Sequence, residues 1–144
     1  VRAARALHAR WFEARGVPVQ QIEGAVDRVI EALLAVLGDD RGRWILQDGR
    51  PGEDRELALT ARIEGQIINV VLDRTFVLEG ERWVIDYKTS VHVGGQLDSF
   101  LDSELQRYAP QLRRYAQVAR RLGPEPVRVA LYFPLLRAFR EWRG

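Results

Sequence analysis

The spacing of apolar residues changes along this 144-residue chain. Residues 1 to 15 and 19 to 37 repeat apolar side chains three and four positions apart, which predicts two amphipathic helices. Leu7, Trp11 and Phe12 share one face of the first, and Val26, Ile30, Leu33, Leu34 and Leu37 share one face of the second. The polar, glycine-bearing stretch "GDDRGRWILQDGRPGED" follows and predicts a connector with one helical turn. Beyond it the period shortens. "RELALTARI", "QIINVVLDRTFVL" and "RWVIDYK" are rich in β-branched and aromatic residues and are separated by "EG" and "EGE", the pattern of an antiparallel three-stranded meander. An amphipathic helix is expected from about Ser99 to Leu122, stopped by Gly123 and Pro124, and "VRVALYFPL" predicts a last strand from about Val127. The expected architecture is α/β: two N-terminal helices, a mixed sheet that begins with the meander, a flanking long helix, and a further strand beside the one carrying residues 82 to 88. No internal repeat or low-complexity tract interrupts it.

Composition narrows the class. At 47% hydrophobic residues the chain suits one domain with a real core. No stretch approaches the roughly 18 apolar residues of a membrane span, and "VRAARALHARWFEARG" is too charged for a signal sequence, so a soluble protein is expected. Cysteine is absent, which excludes disulfides, zinc–thiolate sites and iron–sulfur clusters. Methionine is absent too, and the chain is expected to be a piece of a longer protein. A net charge of +2 argues only slightly for a polyanionic partner, yet the basic positions are nearly all arginine, the residue best shaped for phosphate. Among 22 lysines and arginines, Lys88 is the single lysine. A bias that strong would be expected to replace a lysine that merely solvates a surface.

Lys88 lies in "WVIDYKTS", two residues after Asp86. A two-residue turn on Glu79 and Gly80 would pair Leu78 with Glu81, and counting back along the hairpin sets Asp73 opposite Asp86. Directly opposed carboxylates repel and call for neutralisation. Alternation then puts Lys88 on the Asp86 face, and Leu72, Phe76, Trp83 and Ile85 on the other as core. A bulge would shift this register and split the group across the sheet. Opposed carboxylates with open coordination positions suit Mg²⁺ or Mn²⁺, and an adjacent lysine can orient a water and stabilise charge on an attacked phosphate. The plainer alternative is a surface ion pair of Asp86 and Lys88, worth about 0 to 1 kcal/mol, with Asp73 paired to Arg74 or another arginine. Further on, "YAPQLRRYAQVARRL" sets Gln111 and Tyr115 four apart on one helical face, with Tyr108 a turn earlier. These are either ordinary semi-buried polar residues, with Arg113, Arg114, Arg120 and Arg121 a solvated face, or a helix lying beside the site with arginines reaching backbone phosphates.

Taken together these residues resemble the PD-(D/E)XK nucleases, and within them the RecB/AddA-type nuclease domain at the C-terminal end of bacterial UvrD-like helicase–nucleases. The resemblance covers most of the chain. It rests on His8 in "ARALHARWFE", Glu56 in "DRELALT", Asp73 in "VVLDRTF", Asp86 and Lys88 in "VIDYKTS", and Gln111 with Tyr115 in "QLRRY". It implies a restriction-endonuclease-like core with Mg²⁺ or Mn²⁺ held by Asp73 and Asp86, with the Tyr87 carbonyl and His8 as further ligands. Lys88 would be the catalytic lysine, and Gln111 and Tyr115 would complete the site. It implies a deoxyribonuclease, an exonuclease by expectation, acting in double-strand-break repair and recombination. DNA would arrive as single-stranded ends delivered by helicase domains of the same parent chain, with a second nuclease subunit as a possible partner. The setting would be bacterial, cytoplasmic and nucleoid-associated, with no membrane. Two departures stand out: the bulky run "NVVLD" where a small residue often precedes the first aspartate, and the lack of cysteine, which separates the chain from the iron–sulfur branch. Neither removes a catalytic group.

Three readings follow. The chain is an active metal-dependent nuclease module, or a degenerate nuclease fold that serves as a DNA-binding or structural module, or an interaction domain whose D-x-K is coincidental. The last predicts Asp73 and Asp86 on different faces.

Overall fold

The computed structural model of the protein describes residues 1 to 92 and 94 to 144. Two helices open it, α1 over Arg2–Ala14 and α2 over Val19–Leu37. The connector holds a longer helix than the single turn expected, α3 over Asp40–Leu46, because Asp39 caps it by accepting the Gly42 N–H at 3.0 Å. Strands β1 (Asp54–Ile63), β2 (Gln66–Leu78) and β3 (Glu81–Tyr87) form the antiparallel meander. Helix α4 (Leu97–Ala119) then crosses to β4 (Val127–Phe133), which pairs parallel to β3. A 3₁₀ turn, η1 (Pro134–Leu136), leads to β5 (Ala138–Trp142), antiparallel to β4 and unforeseen in the sequence. The sheet order is β1-β2-β3-β4-β5, an α/β architecture with a mixed sheet.

Both hairpin turns have two residues with positive φ, Glu64 at 49° and Gly65 at 80°, Glu79 at 52° and Gly80 at 77°. That backbone twists in the sense a hairpin needs, and each glycine adopts it without a Cβ clash. The β2–β3 register is the one counted from the sequence, Leu78 with Glu81 through Arg74 with Ile85.

One face of the sheet packs Val84, Val129, Leu131 and Phe133 against Leu101, Leu112, Tyr115 and Ala116 of α4. The other packs Phe76, Trp83, Ile85, Ala130 and Tyr132 against Val36 of α2 and Ile45 of α3. Leu72 belongs to the α4 face, not to the Phe76 face as alternation predicted. The cause is a shared irregularity: Glu56 takes φ of 50°, and the Glu56–Asp73 pair is missing from a β1–β2 ladder that is otherwise in register on either side. Both strands change face there, a bulge-like twist. Arg74, fully buried on the α3 face, donates to the Ile45 and Gln47 carbonyls and to Glu53, which ties the connector to the sheet.

The N-terminal helices differ from expectation in which face they bury. Phe12 packs with Ala4 and Ala9 against Ile22, Val26 and Ile30, while Leu7 and Trp11 are exposed. Leu33, Leu34 and Leu37 are exposed as well, because α2 packs on α1, α3 and η1 along the stripe of Ile22, Val26, Ile30 and Val36. No helix among the described residues is long and apolar enough to cross a membrane.

Candidate active site at the end of β3

Four of the side chains singled out in the sequence meet where β3 ends. Lys88 Nζ stands 2.8 Å from Asp86 Oδ2 and 3.4 Å from Gln111 Oε1. Gln111 Nε2 donates to the Tyr115 hydroxyl at 2.7 Å, and that hydroxyl donates to Asp86 Oδ1 at 3.2 Å. The result is a closed ring of polar contacts between β3 and α4. Gln111 and Tyr115 reach it from one helical face that also carries Glu104 and Tyr108, at spacings of three and four residues. The Lys88 backbone is fixed too, its N–H donating to the Tyr132 carbonyl of β4 at 2.8 Å.

The surface ion pair considered from the sequence does not describe this arrangement. The Lys88 and Asp86 side chains are 16% and 5% exposed. Asp86 Oδ2 is shut off from solvent and has no hydrogen bond of regular geometry, although the Lys88 ammonium lies close to it. The short distance establishes the ion pair, and the poor angle leaves this oxygen with unused acceptor capacity. Burial pushes the Tyr115 hydroxyl well above its usual range, with the Asp86 and Asp73 charges adding to it, so Tyr115 stays a proton donor.

Asp73 takes a different direction from the one alternation predicted. It lines a cleft of about 580 Å³ beneath α2, with Glu56, Arg55, Tyr87 and Thr89 as neighbours and Ala25, Val29, Ala32 and Val36 of α2 opposite. Its Oδ2 accepts the Tyr87 backbone N–H at 2.9 Å. The face change at Glu56 turns Asp73 toward this cleft while Asp86 and Lys88 turn toward α4, so the two carboxylates approach the end of β3 from different faces, as the interaction-domain reading predicted. The two aspartates still sense each other. Burial raises the Asp73 carboxyl from 3.8 to about 6; the Tyr87 N–H opposes the rise, Asp86 and Glu56 add to it, and Lys88 opposes it. Burial also raises the Tyr87 hydroxyl to about 12.

His8 is half-buried on α1 and makes no hydrogen bond or ion pair with the cluster among the described residues. No three His, Asp or Glu side chains among the described residues form a group placed to hold a metal ion. What could hold a hard cation is the pair Asp73 and Asp86, with the Tyr87 carbonyl between them in sequence. That carbonyl lies on the same strand edge as the Tyr87 N–H, hence toward Asp73. Mg²⁺ commonly takes one or two carboxylates and keeps several waters, so the donor set fits it.

One partner, Glu104, escaped the sequence, and another, Tyr108, was placed on this face without a role. The Tyr108 ring lies over Lys88, with Nζ 3.8 Å from its centroid. Glu104, buried, accepts the Ser90 hydroxyl at 3.4 Å and pairs with Arg107 at 3.6 Å, tying the segment after Lys88 to α4. The signal for Glu104 was available: it lies four residues before Tyr108 on the face already marked by Gln111 and Tyr115. No protein-family model matches the chain, and no curated protein matches it.

Proposed function

We propose that the chain is a Mg²⁺-dependent deoxyribonuclease module of the PD-(D/E)XK kind, with a restriction-endonuclease-like core. The observation that carries this is the buried Asp86–Lys88–Gln111–Tyr115 ring with the desolvated Asp73 beside it. A solvated ion pair needs no such shell. A polar cluster held this tightly beside a carboxylate of raised pKa is the arrangement expected of a reaction site.

Asp73 and Asp86 would hold the cation with the Tyr87 carbonyl. When bound, the cation would supply Lewis acidity toward a phosphodiester and a nucleophilic water at neutral pH. Lys88 places a compact positive charge where an attacked phosphate builds negative charge. Tyr115 and Gln111 hold the Asp86 and Lys88 heads in one orientation, and Tyr115, protonated throughout the working range, keeps one oxygen of Asp86 occupied. The substrate in this reading is DNA, delivered as single-stranded ends by helicase domains of a longer parent chain in double-strand-break processing, with exonucleolytic cleavage.

Purified chain, or the helicase-bearing parent, should degrade end-labelled DNA with Mg²⁺ or Mn²⁺ and not with EDTA. A crystal soaked in Mn²⁺ should show anomalous density between Asp73 and Asp86. No density and no metal-dependent cleavage would reject the proposal. DNA binding without cleavage would instead favour the degenerate-fold reading.

A further inference from the structure

An ammonium has three N–H donors, and the Lys88 ammonium has three neighbours at close range: Asp86 Oδ2 at 2.8 Å, Gln111 Oε1 at 3.4 Å, and the Tyr108 ring with its centroid at 3.8 Å. We propose that Tyr108 is a positioning residue: its ring face holds the Lys88 ammonium against Asp86 and Gln111, so that the single lysine presents its charge in one rotamer. The consequence for cleavage rests on the nuclease reading above, whereas the contact itself does not.

The physical case starts from the lysine. Its four-carbon stem is flexible, and its head is a strongly hydrated point charge that normally samples many rotamers. Two acceptors alone leave one N–H and one side of the head open. The π face closes that side, because the ring quadrupole is negative above its plane, and the attraction grows where water is excluded. Lys88 is mostly excluded from water. The hydroxyl of Tyr108 takes no part, since it makes no hydrogen bond among the described residues and the attraction belongs to the ring. Arg107 also approaches this ring, at 5.3 Å, but its guanidinium is exposed and drawn toward Glu104. The placement is built into α4: Glu104 anchors the Ser90 segment one turn before Tyr108, and Gln111 follows one turn after it.

The alternative is that Tyr108 merely packs beside the α4 core, where it touches apolar neighbours. Because Lys88 is the only lysine, lysine-selective ¹³C and ¹⁵N labelling of the whole chain yields one spin system, assigned without ambiguity. In the wild type its Cε and Cδ protons should be shifted upfield by the ring current and should show Overhauser contacts to Tyr108 ring protons. Tyr108→Phe should keep the shift and cleave DNA within about twofold of wild type. Tyr108→Leu, similar in bulk but without a π face, should lose the shift and lower kcat about tenfold at unchanged KM. A wild type that cleaves DNA but shows no upfield shift overturns the inference alone, as does Tyr108→Phe proving as damaging as Tyr108→Leu. Should Tyr108→Leu fail to fold, the wild-type shift and Overhauser contacts still decide. A wild type that shows the shift and never cleaves DNA overturns the nuclease reading and the effect on kcat, and leaves the holding of the Lys88 ammonium by the Tyr108 ring in place.

Discussion

Asp73 accepts the Tyr87 backbone N–H through its side chain, Oδ2 to N 2.9 Å, just beyond the last β2–β3 residue pair, Arg74 with Ile85. A carboxylate thus stands where a main-chain partner would otherwise continue the hairpin. The ladder ends because β2 twists at this point, where Glu56 of β1 adopts φ of 50°. A non-glycine residue in that region costs on the order of 1 to 2 kcal/mol and persists only where its surroundings enforce it. The strained residue, the side-chain-capped strand end and the desolvated aspartate are one local feature.

That feature makes stability pH-dependent in a defined direction. The folded Asp73 carboxyl titrates near 6 against an ordinary 3.8, chiefly through burial, so between these values the folded state holds more protons than the unfolded state. Stability from this group therefore falls as pH rises from about 4 to 6 and is flat above. Asp73 is only partly buried, and solvent screening reduces the effect to about 1 kcal/mol. Asp73→Asn keeps an acceptor for the Tyr87 N–H and removes the titration. Its Tm in EDTA should match wild type at pH 4 and exceed it by about 3 °C at pH 7. Parallel Tm curves for the two proteins would show that Asp73 is not the group responsible.

The two aspartates should separate on stability while agreeing on activity. Asp73→Ala and Asp86→Ala should each abolish Mg²⁺-dependent cleavage. Opposition of like charges alone would let both substitutions leave the fold slightly stabilised. The hydrogen bonds correct that expectation for Asp86. Removing it strands a buried ammonium and the Tyr115 hydroxyl, at a cost of about 3 kcal/mol in chemical denaturation. Cleavage retained in either variant would reject the assignment.

Tyr115→Phe deletes one hydroxyl that donates to Asp86 Oδ1 and accepts from Gln111. The loss should be about 1 to 2 kcal/mol of stability, with kcat lowered more than KM is raised, because the substitution loosens the site rather than a substrate contact. An increase in KM alone would place Tyr115 in substrate binding.

Much of this site was legible in the sequence for a geometric reason. A two-residue Glu–Gly turn fixes register, and register fixes which residues of β2 and β3 stand opposite. Helical spacing likewise put Gln111 and Tyr115 on one face before any contact was known. The face change at Asp73 was not legible, since nothing in "DRELALT" marks a left-handed backbone at Glu56. Strand β5 was hidden because Pro134 ends β4, and the return depends on the 3₁₀ turn and on Arg137 at φ of 47°, a conformation arginine seldom adopts. His8 was carried by the family pattern alone, and α1 packs on α2 through Ala4, Ala9 and Phe12, neighbours that local spacing could not identify.

Lys88→Arg is the sharpest test of why one lysine survives in a chain that otherwise uses arginine. If charge alone mattered, arginine would serve. The site has room for a compact head: Asp86 Oδ2 at 2.8 Å, Gln111 Oε1 at 3.4 Å and the Tyr108 ring centroid at 3.8 Å enclose a single nitrogen. A guanidinium is a planar fork that favours bidentate pairing with a carboxylate. In this pocket it would clamp Asp86, take up the acceptor capacity of Oδ2, and carry its charge away from the phosphate side. The exchange should therefore lower cleavage by about 10²-fold or more, the scale seen when one preorganised charge-stabilising donor is lost. DNA affinity should change little, because one cation is exchanged for another. Cleavage and DNA-binding assays on the same purified variant make the measurement. Near-wild-type cutting by the arginine variant would mean that Lys88 acts only as a positive charge and that the compact ammonium has no part in the reaction.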